Sequence, residues 1–406
     1  MTQILAKDAV KNILAEYYEN AFLAKEEGRL VAWVTSIAPR EFLEAMDIVT
    51  IYPENHAAAI AAKKGSMEMM EIAESMGYST DICSYARTNL GFVEAGDSAA
   101  GKLPLPDMLV CCNNICNTVT KWYEILSRRL NVPLIMIDMP FSHGDEVDEH
   151  AVDFMVGQFK HLITQLEQIT GKPFNYERFQ QSMELSNQAS LLWKESADMG
   201  RNHPCPFNGI DFFNYMALIV CMRGNEKAVE FFTLLRDEIA GKVARGEGYM
   251  ENEKYRILWD GIPFWFNLRG MMKSIKNYDA CMVGSTYPDN WVLPYDTNDL
   301  RSMARAYTSI FINRNFDYRI KNMTRLIKEL DIDGVIFHSN RSCKAQDFAQ
   351  YAMSRKITEL TGIPAVVVDG DQNDPRSFSE AQYETRVQAL YEMIDQRKAS
   401  ATSAGR

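Results

Sequence analysis

Three cysteines stand out by their surroundings. Cys116 closes Asn113-Asn114-Ile115-Cys116, Cys343 closes Asn340-Arg341-Ser342-Cys343, and Cys83 lies in Asp81-Ile82-Cys83-Ser84-Tyr85-Ala86-Arg87. Cys116 and Cys343 each fall in a loop at the start of an expected helix, where backbone N–H groups and the positive helix end stabilise a thiolate. Three thiolates converging from separate loops would suit a soft metal centre. Iron with sulfide favours such ligands, and three of them leave one iron of a cubane open to an oxygen. The alternative is that the thiols are structural, as expected for Cys111, Cys112, Cys205, Cys221 and Cys281 in strand or helix patterns. No C-x-x-C pair, H-E-x-x-H or Cys/His zinc spacing occurs.

Ser36, in Val34-Thr35-Ser36-Ile37-Ala38-Pro39, and Glu54, in Tyr52-Pro53-Glu54-Asn55-His56, form a second pair of candidates. Both follow runs that read as strands, so both can reach the crevice at the carboxyl ends of a sheet. The competing assignments are Ser36 as cap of the next helix and Glu54 as a solvated turn residue. The loop Asp369-Gly370-Asp371-Gln372-Asn373-Asp374-Pro375-Arg376 also follows a strand, as a simple turn or as a ligand contact. His56 and His338 neighbour these segments, but a lone histidine is more often structural, and neither takes a catalytic role. Trp259, Phe264, Trp265 and Phe266 flank Gly261-Ile262-Pro263 and either fill a core or wall an acyl pocket. With no G-x-x-x-x-G-K-[ST] and no G-x-G-x-x-G, ATP hydrolysis by this chain is not expected.

The elements that must position these residues form a repeated unit. Asp107 to Cys111 reads as a strand, Thr118 to Leu130 as a helix and Val132 to Asp138 as the next strand. Gly334 to His338, Ala345 to Leu360 and Ile363 to Asp369 repeat that order, so both copies run strand, N-x-x-C, helix, Pro, strand, Asp. Strand-like runs also occur at Leu30 to Ser36 and Asp47 to Tyr52, after a helical pattern over Ile4 to Arg29. The fold class expected is α/β, with two doubly wound, Rossmann-like parallel-sheet domains and a helical segment between them. The boundaries are 1–150, a helical 151–255, 256–398 and a frayed tail 399–406. Within the middle segment, Gly171-Lys172-Pro173 and His203-Pro204-Cys205-Pro206 break helices, and Gly241 to Gly248 reads as a loop.

Composition narrows the function classes. The 406 residues are 47% hydrophobic, enough for two or three packed cores. With 43 Lys plus Arg against 54 Asp plus Glu and a net charge of -11, no global positive field draws the chain to nucleic acid or an anionic membrane. Charges recur through Met1 to Arg29, against a secretory signal, and runs such as Met216 to Met222 are far too short to span a bilayer. A cytoplasmic location is expected, and eight cysteines are too few for a disulfide scaffold.

Tyr52-Pro53-Glu54-Asn55, Cys111-Cys112-Asn113-Asn114-Ile115-Cys116, Lys121-Trp122-Tyr123-Glu124, Asn340-Arg341-Ser342-Cys343-Lys344 and Asp369-Gly370-Asp371-Gln372 span nearly the whole chain. Together they resemble the α subunits of the 2-hydroxyacyl-CoA dehydratases of anaerobic bacteria, and the length suits the 2-hydroxyisocaproyl-CoA and phenyllactyl-CoA branch. The resemblance implies a lyase of amino-acid fermentation, in a heterodimer with a related β subunit. It further implies one 4Fe-4S cluster per chain at the junction of the domains, held by Cys83, Cys116 and Cys343, with one iron open to water or substrate. A separate ATP-dependent iron-sulfur activator would inject one electron. The α carbon of such a thioester bears the hydroxyl, and the carbonyl does not acidify the β hydrogen. A ketyl radical anion can expel the adjacent hydroxide and leave an acidic β hydrogen. Under this resemblance Glu54 is the general base and Ser36 hydrogen-bonds near the substrate oxygens. Phe264 stands where a small residue or cysteine is expected, which puts the acyl group in question. A benzoyl-CoA-reductase-type subunit and a non-catalytic iron-sulfur electron-transfer subunit are the alternatives; the Ser36 and Glu54 pair argues against both.

Overall fold

A computed structural model of the protein describes residues 5–404, with side chains through residue 400. Among the described residues the strands form two four-stranded sheets, parallel throughout. The first contains β1 (Val31–Val34), β2 (Val49–Ile51), β3 (Met108–Cys112) and β4 (Leu134–Ile137), in the order β2-β1-β3-β4. The second contains β5 (Tyr255–Asp260), β6 (Ala280–Ser285), β7 (Gly334–Asn340) and β8 (Ala365–Gly370), in the order β6-β5-β7-β8. The two orders are the same, and the strands that precede the two N-x-x-C runs, β3 and β7, occupy equivalent places. The α/β class and the doubly wound topology expected from the repeat are therefore borne out.

Side-chain pattern explains which strands are central. Val-Ala-Trp-Val in β1 and Met-Leu-Val-Cys-Cys in β3 are buried at every position, as strands covered by helices on both faces must be. The edge strands β4 and β8 alternate buried and partly exposed residues. Pairings Val31↔Val49, Ala32↔Met108 and Leu109↔Leu134 set one register, and Ile257↔Gly334 and Val335↔Ala365 set the other. In each sheet the order reverses between the two central strands, and the crevice for ligands opens there, beyond the strand carboxyl ends.

Four long helices, Glu149–Thr170, Tyr176–Asp198, Gly209–Met222 and Glu226–Ala244, lie in sequence between the sheets. Asp148, Asn175, Asn208 and Asn225 cap them by accepting a backbone N–H, and Gly171 ends the first in the left-handed region at φ +67°. Among the described residues no helix is long and apolar enough to cross a membrane.

Two local expectations are corrected. The last of those helices runs to Ala244, so the loop expected from Gly241 begins later, because Lys242, Val243 and Ala244 are compatible with a further turn. The single helix expected over 345–360 is two, Lys344–Asp347 and Gln350–Thr361. Ser339 Oγ donates to Asp347 Oδ1 at 2.8 Å, which ties that point of the chain back to β7. Helix Glu380–Ala404 runs into the segment expected to fray from 399, ending in a run rich in alanine, the best helix former. Ile4, Arg406 and Gly405 lie outside the described residues.

Candidate active site

Ser36 follows β1 directly. Thr35 keeps that strand registered to the central strand β3, its N–H donating to Val110 O at 3.0 Å and its Oγ1 accepting Cys112 N at 3.0 Å. Glu54 sits in the first turn of helix Pro53–Ala62, with Pro53 at its start, where the helix dipole favours a carboxylate. Ser36 donates twice to it, N to Oε2 at 2.6 Å and Oγ to Oε1 at 3.0 Å. Ser36 is thus a partner of Glu54 rather than a helix cap, and Glu54 is a bonded helix residue rather than a solvated one. Burial pushes the Glu54 carboxyl up to about 7, against the pull of the two Ser36 hydrogen bonds.

Cys83, Cys116 and Cys343 each occupy the residue just before a helix, Ser84–Ala95, Asn117–Leu130 and Lys344–Asp347. Cys116 Sγ accepts Val119 N at 3.4 Å, and Cys83 Sγ accepts Gln372 Nε2 at 3.4 Å. The loops that carry Cys83 and Cys343 are joined by their neighbours, Ser84 N donating to Ser342 Oγ at 3.0 Å and Ser342 Oγ donating to Ser84 Oγ at 3.2 Å. Asp371 steadies the same loop by accepting Ser342 N at 3.2 Å, besides Asn373 N and Asp374 N.

These pieces enclose one cleft. Ser36, Glu54, Cys83, Cys116 and Cys343 all line it, around a cavity of about 90 Å³. Ile37, Ile115, Val119, Trp122 and Ile262 make its walls largely apolar. Burial pushes all three thiols up, Cys343 to about 12. The charges of Cys343 and Cys116 add to the effect at Cys83, and that of Cys116 adds to it at Cys343. Three soft donors that repel one another when ionised call for a cationic centre, which reverses such shifts. Among the described residues, the group of metal-ligating atoms all within 4.8 Å of one another is Cys205, Glu253 and Cys281, not these three. The cleft thiols are therefore spread more widely than around one tetrahedral ion, whose metal–sulfur bonds of about 2.3 Å draw sulfurs to within about 4 Å. The donor set fits a polynuclear iron-sulfur centre.

The Cys205 group has its own partners. Glu253 accepts Cys205 N at 2.7 Å and pairs with Arg256, while Cys205 Sγ and Cys281 Sγ both donate to Phe207 O, at 3.1 and 3.3 Å. Cys111, Cys112 and Cys221 are buried as well.

Residues 35–394 match the family described as 2-hydroxyglutaryl-CoA dehydratase, D-component. The chain belongs to this family. It is 47% identical over 395 residues to the (R)-2-hydroxyisocaproyl-CoA dehydratase alpha subunit of Clostridioides difficile, covering 97% of each chain. It is 42% identical to the lactoyl-CoA dehydratase subunit alpha of Anaerotignum propionicum, covering 94% of this chain and 95% of that one. Its identity to the (R)-phenyllactyl-CoA dehydratase alpha subunit of Clostridium sporogenes is 38%, covering 97% of this chain and 96% of the relative.

Other members of the dehydratase-family cleft escaped the sequence. Tyr287, Gln346 and Asn290 line it without any motif to flag them, Tyr85 lies two residues after Cys83 in its segment, and Gln372 lies in the Asp/Gly/Pro loop and makes that loop more than a turn. The aromatic patch resolves toward core. Phe264 is fully buried, packing 4.3 Å from the His338 ring and 5.7 Å from Trp259 by ring centres, and it does not line the cleft. Its size therefore bears on packing against β7 and not directly on the acyl pocket. His338 Nδ1 lies 2.5 Å from Ile262 O, and His56 packs edge-on to Phe92; both are structural.

Proposed function

We propose that the chain is the α subunit of an oxygen-sensitive (R)-2-hydroxyacyl-CoA dehydratase, forming the (E)-2-enoyl-CoA by loss of water with no net redox change. The observation that carries the reading is the convergence of three cysteines and the Ser36–Glu54 pair on one apolar cleft. The names of the relatives support the same chemistry and an α/β subunit organisation. A related β subunit and an ATP-dependent iron-sulfur activator complete the assembly, in cytoplasmic amino-acid fermentation.

Cys83, Cys116 and Cys343 would hold a 4Fe-4S group. When bound, that group supplies Lewis acidity toward an oxygen ligand and a route for one electron. The chain's own residues do the rest. Glu54, poised near neutrality, accepts the β proton once the substrate has taken up one electron and expelled its hydroxide, so that proton and hydroxide leave together as water and the electron is returned as the enoyl product forms. Ser36 Oγ, now donating to Glu54, lies within the same wall and can turn its proton to a substrate oxygen as Glu54 becomes neutral. Ile37, Ile115 and Trp122 keep bulk water from quenching the electron-rich substrate.

The test is iron and acid-labile sulfide per chain, with a Mössbauer spectrum, on protein purified without oxygen beside its β subunit. About four of each on this chain with one distinct iron site is the expected result, together with dehydration of a 2-hydroxyacyl-CoA once the activator and ATP are added. Cys343→Ala should fail to retain the full complement of iron and sulfide. Zinc, or no metal after anaerobic reconstitution, would remove the reading.

A further inference from the structure

The cleft has a neighbour. A second, polar chamber shares Asn290 and Ile310 with it, and Lys194, Arg305 and Arg325 line that chamber. Against these three cations its lining carries one carboxylate, Asp289, which accepts from Asn322 at 3.1 Å and Arg325 at 3.4 Å. In a chain of net charge -11 this is a local reversal of sign. Each cation has a partner now: Lys194 pairs with Asp198, Arg305 with Glu149 and Arg325 with Glu329. All three side chains are about two-fifths exposed, and exposed pairs of this kind are weak, so an arriving phosphate can replace or share the carboxylate.

The junction carries the second observation. Asn290 Oδ1 and Trp291 Nε1 are buried atoms with no hydrogen-bond partner among the described residues, and the Trp291 side chain lines the cleft with the residue only 5% exposed. One is an acceptor and the other a donor. What sets these two apart from other buried atoms without a partner is their place beside the cavities, where a ligand's own polar groups can match an acceptor and a donor.

The apolar cleft, an amide-like acceptor and donor, and the cations therefore adjoin in that order. A CoA thioester has the same order: acyl group, an arm with two amides, and a phosphorylated nucleotide. The geometry points to the outer chamber as the seat of the CoA nucleotide phosphates, with Asn290 and Trp291 bonding the amides of the arm. This rests on the proposed dehydratase reading only for the thioester's identity.

The anaerobically prepared heterodimer would be titrated with 3′,5′-ADP, which has neither thioester nor arm, in the wild type and in Arg325→Glu. Binding that weakens by about tenfold in the variant, and with rising salt in the wild type, is expected. In turnover, KM for the 2-hydroxyacyl-CoA should rise by about the same factor, and the penalty should largely disappear with the corresponding pantetheine thioester, which lacks the nucleotide. Lys194→Gln tests the same chamber if Arg325→Glu does not fold. Equal 3′,5′-ADP affinity and equal KM in wild type and a folded variant would overturn the assignment. Variant-sensitive 3′,5′-ADP binding by a wild type that dehydrates no 2-hydroxyacyl-CoA would leave the nucleotide seat standing and remove the dehydratase reading instead.

Discussion

Glu54 is tuned by two opposed influences, loss of water around its carboxylate and the two hydrogen bonds from Ser36. A base works only when ionised, so kcat/KM is expected to fall as pH drops below about 7, the value to which burial raises this group. Ser36→Ala removes the Oγ bond that favours the ionised form. It should move the acidic limb of the pH profile to higher pH, a shift a purely structural serine would not produce. Glu54→Gln is expected to lower turnover by about 10²- to 10⁴-fold while iron and sulfide per chain stay the same. The stability sign runs the other way. The folded protein holds the Glu54 proton more tightly than the unfolded chain, whose ordinary value is 4.5, so the stability it contributes is present below that value and is lost as pH rises through about 7. Apoprotein carrying Glu54→Gln should therefore melt at a higher temperature than wild type at pH 8, checked by thermal denaturation at pH 5 and 8. The position of Ser36 and Glu54 at strand ends was legible in the sequence, but their hydrogen bond was not, because 18 residues and a helix separate them.

Among the elements, helix Ser84–Ala95 does the most positioning, carrying Cys83 before its first residue and Arg87 in its first turns. It packs against helix Ser66–Ser75 so closely that a Cβ on Gly91 would stand 1.8 Å from the Met69 carbonyl oxygen. Gly91→Ala must push the two backbones apart, at a cost of about 1–3 kcal/mol, and carry Cys83 away from its partners. A lower melting temperature together with poorer retention of iron is expected, and an unchanged iron content would show that Cys83 does not depend on this contact. The repeated strand, N-x-x-C, helix unit was readable because all its signals are local. The break between Lys344–Asp347 and Gln350–Thr361 was not, because it depends on Ser339 reaching Asp347 from a neighbouring strand.

Across the whole molecule, the two sheet-bearing halves are fastened at the same edge that holds the cleft. Buried Arg87 pairs with Glu74 at 2.6 Å in its own half and with Asp374 at 3.1 Å from the loop after β8. Asn373 adds two more bonds across the same junction, its Nδ2 donating to Ala57 O at 2.9 Å and its main-chain O accepting Ser66 Oγ at 2.7 Å. Removing one partner of a buried pair is costly, so Arg87→Ala should destabilise the chain by about 3 kcal/mol, measured by urea unfolding. Arg376, which also bonds Asp374, keeps the loss toward the lower end of that range. From sequence alone came the α/β class, the paired units and the five residues worth testing, since periodicity, turn residues and short motifs are properties of neighbouring positions. The tertiary structure decided that Cys83 and Cys116 from one half meet Cys343 from the other, that Phe264 packs behind the cleft, and that Asn290 joins two cavities. Those facts depend on how distant segments pack, and burial and pairing between residues far apart in the chain leave no local pattern.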